Sequence, residues 1–180
     1  MSRLRSSAAL MRATILLGAI LALAACAGTP GAQAEAADGT VFVVVRHGEK
    51  ADAGHDPALS EAGLARADRL AGLLANAPLV AVYSTDLRRT RQTVGPTAIA
   101  HGLEVRVYEP REPAADLVAR LRAEHGTGTV LVAGHSNTVP DIVAALCACE
   151  VAAMPETEFD RFSTVRIGAD GRPRLEVGRY

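Results

Sequence analysis

The stretch Val41-Phe42-Val43-Val44-Val45-Arg46-His47-Gly48-Glu49 is the most informative part of the chain for its fold. Its first five residues are apolar, and the four valines are β-branched. Such a continuous run predicts a strand buried on both faces, as in a parallel sheet. Polar and charged residues follow immediately, so the strand is expected to end in side chains capable of chemistry.

Strand-like and helical segments alternate along the rest of the chain. Short apolar runs recur at 79–83, 104–108 and 129–133, and helical patterns occupy 60–76, 86–100, 114–124 and 139–149. Two alternating segments, 163–167 and 174–178, are expected to be edge strands. This order predicts an α/β fold, a three-layer sandwich with a mostly parallel central sheet and helices on both faces.

Composition limits the class of protein. The 180 residues include 49% hydrophobic and 22% charged residues, which favours one globular domain and argues against disorder. The formal net charge is −1, and the chain has neither a basic stripe nor interleaved aromatic residues. We therefore expect no nucleic-acid partner.

The N-terminal region has the features of an export signal. Arginines at positions 3, 5 and 12 precede or border an uncharged apolar stretch, 13–25, which is too short to span a bilayer comfortably. Leu23-Ala24-Ala25-Cys26 resembles the lipobox of bacterial lipoproteins, which implies cleavage before Cys26 and lipid attachment to its thiol. The alternative is an ordinary secretory signal in which Cys26 has no role.

The resulting domain prediction is a signal peptide over 1–25, a lipid-anchored Cys with a flexible tether over 26–39, and a folded domain over 40–180. The tether is rich in small residues, as flexible linkers are. We expect the protein in the bacterial cell envelope, facing the periplasm and held to the membrane by its lipid. The absence of Asp after Cys26 is typical of sorting to the outer membrane in Gram-negative lipoproteins.

Two further cysteines, Cys147 and Cys149, lie two apart in an apolar helical stretch. A disulfide between them would be strained within a helix, so we expect buried free thiols. Their spacing does not resemble that of a zinc site.

Three predicted strands end in polar residues. Arg46 and His47 follow the first, Ser84-Thr85-Asp86 with nearby arginines follows the second, and Gly134-His135-Ser136-Asn137 follows the fourth. Ligands of open α/β sheets bind at the carboxyl ends of the strands, so these side chains are expected to share one crevice. Arginine suits phosphate, and nearby cations would keep a histidine neutral and nucleophilic.

These motifs resemble, in order, those of the histidine phosphatase superfamily, of which phosphoglycerate mutases are members. Residues 44–49 look like its nucleophile motif, residues 82–93 look like the segment with a second phosphate-binding arginine, and residues 132–137 look like the motif of its second histidine. The resemblance implies that His47 forms a phosphohistidine, and that Arg46, Arg89 and His135 hold the phosphoryl oxygens, with Asn137 as a further donor. It implies neither metal nor cofactor.

The resemblance is incomplete after the third strand, where larger members supply an acid. Glu109 is the candidate proton donor. Glu112 is a second candidate, and either could be a surface charge instead. The chain is also shorter than the mutases, which favours a small phosphatase acting on a phosphorylated small molecule or a phosphoprotein.

Two other functions fit some of the same residues. A catalytically silent, membrane-anchored protein could use the pocket to bind phosphorylated ligands. A metal hydrolase could use His47, Glu49 and His135 as ligands, although the surrounding arginines would repel a cation.

Overall fold

The structure, a computed structural model, describes residues 39–180. The predicted signal peptide, Cys26 and almost all of the predicted tether lie outside the described residues. Within 39–180 no helix combines the length and the apolar character needed to cross a membrane.

Six strands and four helices alternate along the described residues. The strands are β1 (Gly39–Arg46), β2 (Leu79–Ser84), β3 (Val105–Val107), β4 (Gly128–Gly134), β5 (Arg161–Gly168) and β6 (Pro173–Arg179). The helices are α1 (Glu61–Leu74), α2 (Arg88–Ala100), α3 (Ala114–Glu124) and α4 (Val139–Cys147).

All six strands form one sheet, in the order β3-β2-β4-β1-β5-β6. The pairs β2–β3, β2–β4 and β1–β4 are parallel, whereas β1–β5 and β5–β6 are antiparallel. The predicted mostly parallel sheet is therefore confirmed. The prediction that both C-terminal strands lie at an edge was wrong for β5, which pairs with β1 on one side and β6 on the other.

Strand β1 is buried on both faces, as its valine run predicts. Phe42 and Val44 pack into a core with apolar residues of α3 and α4. Val43 and Val45 pack on the opposite face with residues of α1 and α2. Helices thus cover both faces, and the predicted three-layer arrangement is confirmed.

Helix α1 supports the loop that leaves β1. The hydroxyl of Ser60, the predicted N-cap, accepts a hydrogen bond from the Gly63 amide at 3.2 Å. The Ser60 amide in turn donates to the Glu49 carbonyl at 2.8 Å. A Cβ at Gly63 would lie 2.4 Å from that carbonyl oxygen and 3.0 Å from the Glu49 amide nitrogen. Only glycine therefore allows this close approach between the first turn of α1 and the loop.

The two C-terminal cysteines differ from the prediction, because Cys147 and Cys149 form a disulfide. The sequence predicted one helix containing both cysteines, whereas α4 ends at Cys147. Ala148 then adopts a left-handed conformation with φ of 51°. The turn brings the two Cα atoms to 5.2 Å, a normal separation for a disulfide. The helical strain that argued against the bond is absent, because Cys149 lies beyond the helix.

Replacing Gly63 by alanine should destabilise the protein, because the new Cβ would clash with the backbone of Glu49. Overpacking of this kind costs about 1–3 kcal/mol. Gly72→Ala in the same helix is the matched control, since a Cβ there meets nothing within 4 Å. That control should raise the free energy of unfolding by roughly 0.5–1 kcal/mol. Urea denaturation measures both, and equal stability of the two variants would contradict the close approach.

Candidate active site

The carboxyl ends of β1, β4 and β2 form one edge of the sheet, and the predicted site residues meet there. Arg46 of β1 is paired in register with Gly134 of β4, and the His47 amide donates to the Gly134 carbonyl at 3.0 Å. His135 is the next residue of that neighbouring strand end. The two histidine rings consequently lie edge to face, with their centroids 5.4 Å apart.

His47 is held as a neutral imidazole with one free nitrogen. Its Nδ1 lies 2.7 Å from the Gly48 carbonyl, and because a carbonyl can only accept, Nδ1 carries the hydrogen. The lone pair is therefore on Nε2. Burial lowers the pKa of His47 to about 3, and the positive charges of Arg46 and Arg89 add to that effect. Only 4% of the residue is exposed.

His135 is oriented by two threonines. Its Nε2 lies 3.1 Å from the Thr85 hydroxyl, which lies 2.7 Å from the Thr90 hydroxyl. The Thr90 hydroxyl also donates to the carbonyls of Thr85 and Leu87, which fixes its position. These contacts orient the ring of His135 at the strand end. Burial lowers the pKa of His135 to about 4, with a smaller contribution from the arginines.

Arg46 is clamped from one side by backbone. Its Nη1 donates to the carbonyls of Pro155, Glu156 and Glu158 at 3.1, 2.8 and 3.0 Å, and the ring of Phe159 lies 4.2 Å from its Cζ. Only 2% of Arg46 is exposed, yet its Nε has no hydrogen-bond partner among the described residues. We call residues 155–159 the clamp segment. The clamp segment fixes the guanidinium through Nη1 and leaves the Nε–H of Arg46 without a partner in the described residues.

Arg89, near the start of α2, is the second cation of the site. Its side chain is 15% exposed, and its Nε is also buried without a partner in the described part of the chain. The nearest carboxylate is that of Asp56, 4.0 Å from Nη1. Thr93 ties this helix to the nucleophile loop, since its hydroxyl donates to the Arg89 carbonyl and accepts from the Gly48 amide.

The flanking arginines of α2 do not share this placement. Arg88 is exposed, and Arg91 forms an exposed ion pair with Asp86 at 2.9 Å. The structure thus brings Arg89, rather than its neighbours, to the two histidines.

The residues proposed for a metal hydrolase are not assembled. The Glu49 carboxylate is held by Arg66, with Nη2 2.6 Å and Nε 3.0 Å from its oxygens. This pairing lowers the pKa of Glu49 and directs its carboxylate to α1. Within residues 39–180, no three or more His, Cys, Asp or Glu side chains are grouped in a way that could hold a metal ion.

The candidate acids, Glu109 and Glu112, lie in the loop after β3, and their hydrogen bonds are to residues other than the two histidines. Glu109 is exposed and accepts a hydrogen bond from the Arg111 amide at 3.2 Å. Glu112 forms a two-point ion pair with Arg120, at 2.8 and 2.9 Å. In the described residues, neither carboxylate hydrogen-bonds to His47. The role of Glu109 stays a prediction.

Asn137 is exposed at the start of α4, on the wall between two small cavities. One cavity, of about 330 Å³, lies towards the clamp segment. The other, of about 240 Å³, lies towards the loop after β3. Asn137 is therefore placed beside the site rather than among its buried residues, where it could contact the part of a ligand beyond the phosphate.

Sequence reasoning missed the clamp segment and the two threonines. The segment 150–162 has no readable motif, because it acts on Arg46 largely through backbone carbonyls, which any residue possesses. Thr85 and Thr90 lie within the recognised motif region, but their roles depend on rotamers that a sequence does not reveal.

Comparison with known families agrees with this geometry. Residues 42–110 match the model of the histidine phosphatase superfamily (branch 1). This part of the chain is therefore similar to the histidine phosphatase superfamily. The match includes the nucleophile motif and Arg89 and ends before His135. No curated protein matches the sequence.

Several solved structures resemble the described fold. The protein histidine phosphatase SixA, complexed with tungstate, is 23% identical, with 77% of this chain and 96% of that chain covered and a TM-score of 0.65. Mycobacterial glucosyl-3-phosphoglycerate phosphatase is 21% identical, with 78% and 99% covered and a TM-score of 0.63. Phosphoserine phosphatase from Entamoeba histolytica is 15% identical, with 78% and 98% covered and a TM-score of 0.60. At these identities the likeness shows the fold.

The buried histidines should make stability fall in acid. Their pKa values of about 3 and about 4 lie below 6.5, the value expected when the chain is unfolded, so the unfolded state binds more protons as pH falls. Between pH 6.5 and about 4, each imidazole should lower the free energy of unfolding by up to about 1.4 kcal/mol per pH unit. Urea denaturation across this range measures the slope. The double variant His47→Gln, His135→Gln should lose the contribution of the two histidines to this pH dependence. An unchanged slope would contradict the burial of neutral imidazoles.

Proposed function

We propose that this protein is a metal-independent phosphatase that hydrolyses a phosphate monoester, or a related phosphoryl compound, through a phosphohistidine at His47. One observation carries the proposal: the free Nε2 belongs to a neutral His47 near Arg46 and Arg89, each of which buries an Nε donor without a partner in the described residues. Buried guanidinium donors left unpaired are costly unless an acceptor arrives. A phosphoryl group supplies such acceptors.

The chemistry follows from these positions. The lone pair of His47 Nε2 attacks phosphorus, the bond to the leaving oxygen breaks, and that oxygen takes a proton from Glu109 or from solvent. Arg46, Arg89 and His135 would stabilise the negative charge on the three remaining phosphoryl oxygens. Water then attacks phosphorus, and the electron pair of the P–N bond returns to Nε2, which releases phosphate.

The comparisons support a phosphoryl substrate without specifying it. By their names, the similar structures act on phosphohistidine in proteins, on glucosyl-3-phosphoglycerate and on phosphoserine. We propose the same broad class here, a phosphorylated small molecule or a phosphoprotein. Asn137 and the two cavities beside it would contact the remainder of that substrate.

His47→Ala should abolish turnover of p-nitrophenyl phosphate, and the wild type should remain active with excess chelator. Arg89→Gln should lower kcat/KM by about two orders of magnitude or more, since a charge-stabilising donor contributes on that scale. Arg91→Gln is the matched control on the same helix, because Arg91 pairs with Asp86 at the surface. Initial rates and acid-quench trapping of a base-stable phosphoenzyme are the measurements.

Each other outcome identifies a different function. Ligand binding without turnover of any phosphate donor would favour the silent phospho-ligand binding protein. Activity lost with chelator and restored by metal would favour a metal hydrolase. Turnover that survives His47→Ala would contradict the phosphohistidine route.

We also propose that the domain is a lipoprotein of the bacterial cell envelope, anchored through Cys26 and facing the periplasm at the outer membrane. The support is the lipobox-like Leu23-Ala24-Ala25-Cys26. Cys26→Ala should abolish labelling by a radioactive fatty acid and shift the protein from the membrane fraction. Unchanged labelling would contradict attachment at Cys26, and cleaved, unlabelled wild-type protein would indicate an ordinary secretory signal.

A further inference from the structure

We infer that Glu156 is the general base that activates water for hydrolysis of the phosphohistidine. The inference rests on the proposed function, because it assigns a residue to the second step of that reaction. Glu156 lies in the clamp segment, outside every motif that identifies the family.

The carboxylate of Glu156 is fixed beside the phosphate-binding groups. Its Oε2 lies 2.7 Å from Nη2 of Arg46, and its Oε1 accepts a hydrogen bond from the hydroxyl of Ser136, the residue after His135. Both contacts come from residues placed by strand ends of the central sheet. An otherwise mobile glutamate is therefore held at two points next to the two histidines.

The exposure of the Glu156 carboxylate places it on the solvent side of the site, from which water would attack. His47 is 4% exposed, whereas the Glu156 side chain is 79% exposed at the mouth of the site. The attacking and leaving groups of phosphoryl transfer lie roughly in line with phosphorus. If His47 occupies the buried side, the attacking water must approach from the solvent side, where Glu156 is.

The charge state of Glu156 suits a base. The Ser136 hydrogen bond and the positive charge of Arg46 hold its pKa below the usual glutamate value, so it is ionised at neutral pH. In the proposed step, a carboxylate oxygen accepts a proton from water as the water oxygen bonds to phosphorus. The P–Nε2 bond breaks, and its electron pair returns to His47.

Arg46 can hold Glu156 and a phosphoryl group together. Nη1 donates to the three carbonyls of the clamp segment. Nη2 has two hydrogens, and the contact with Glu156 uses one of them. The second hydrogen and the unpartnered Nε–H are left for substrate. The base therefore does not need to leave for phosphate to bind.

Other carboxylates near the site are less suited to this step. Glu112 is paired with Arg120, and Glu49 with Arg66. Asp56 accepts a hydrogen bond from the Arg88 amide and lies 4.0 Å from Arg89. Among the carboxylates of residues 39–180, Glu156 is the one with contacts both to Arg46 and to the residue next to His135.

The test is to follow the two half-reactions of p-nitrophenyl phosphate hydrolysis separately. Glu156→Gln should keep a rapid burst of one nitrophenolate per site, because phosphorylation of His47 does not use the base. The following steady rate should fall by about 10²–10⁴-fold, the usual contribution of a general base. Acid-quenched phosphoenzyme should accumulate, and its isolated form should decay correspondingly slowly. Glu156→Asp should recover part of the decay rate.

Four further variants sharpen the result. Ser136→Ala should slow phosphoenzyme decay less than Glu156→Gln, because the contact to Arg46 remains. Glu150→Gln, an exposed glutamate preceding the clamp segment, should leave both phases unchanged. Asp56→Asn and Glu109→Gln test the competing bases, and slower decay in either of them with normal decay in Glu156→Gln would overturn the assignment.

The remaining outcomes are also decisive. A lower KM with unchanged burst and unchanged decay in Glu156→Gln would mean that the carboxylate only competes with phosphate for Arg46. Equal slowing of burst and decay would mean that it only supports the structure. If the wild type forms no phosphoenzyme at all, the proposed function itself fails, and this result is distinct from either failure of Glu156.

Discussion

The parallel pairing of β1 with β4 is the constraint on which the rest of the site depends. Its register places Arg46 opposite Gly134, and the His47 amide then continues the ladder by one hydrogen bond to the Gly134 carbonyl. The nucleophile and the second histidine are thus positioned by backbone hydrogen bonds of the sheet rather than by loops. A shift of one residue in this register would reverse the face of every side chain in β1 and separate the two rings.

Burial of this strand end governs the electrostatics. Two imidazoles and two guanidinium groups lie close together, and the site resolves their mutual repulsion by keeping both imidazoles neutral. Desolvation, the largest cause in both cases, also makes the arginine donors more effective towards a bound anion, because their field is less screened. The backbone carbonyls of the clamp segment compensate part of the cost of burying Arg46, and the exposed carboxylate of Glu156 supplies a countercharge.

The fold could be predicted from the sequence because its signals are local and strong. The valine run, the alternation of strands and helices and the Ser60 cap each agree with the structure. Errors arose at two places. Strand β5 is an interior strand because it pairs with the distant β1 as well as with β6, and the cysteines pair because α4 ends one residue before the turn at Ala148. The placement of His47, His135 and Arg89 was also predictable, because strand ends of a parallel sheet converge. The clamp segment, Glu156 and the threonine pair that orients His135 were not, because they reach the site by tertiary packing.

The clamp segment has a consequence for how such a site can change during evolution. Its hold on Arg46 uses three main-chain oxygens, which no side-chain substitution removes. Apart from Glu156 and Phe159, the side chains of this segment are therefore free to change while the cation stays in position. Since the segment also borders the cavity next to Asn137, ligand preference can diverge here without any trace in the motifs that identify the family. Two proteins with identical strand-end residues can accordingly differ in what they accept, and the difference would be found in a stretch that looks unremarkable in each sequence.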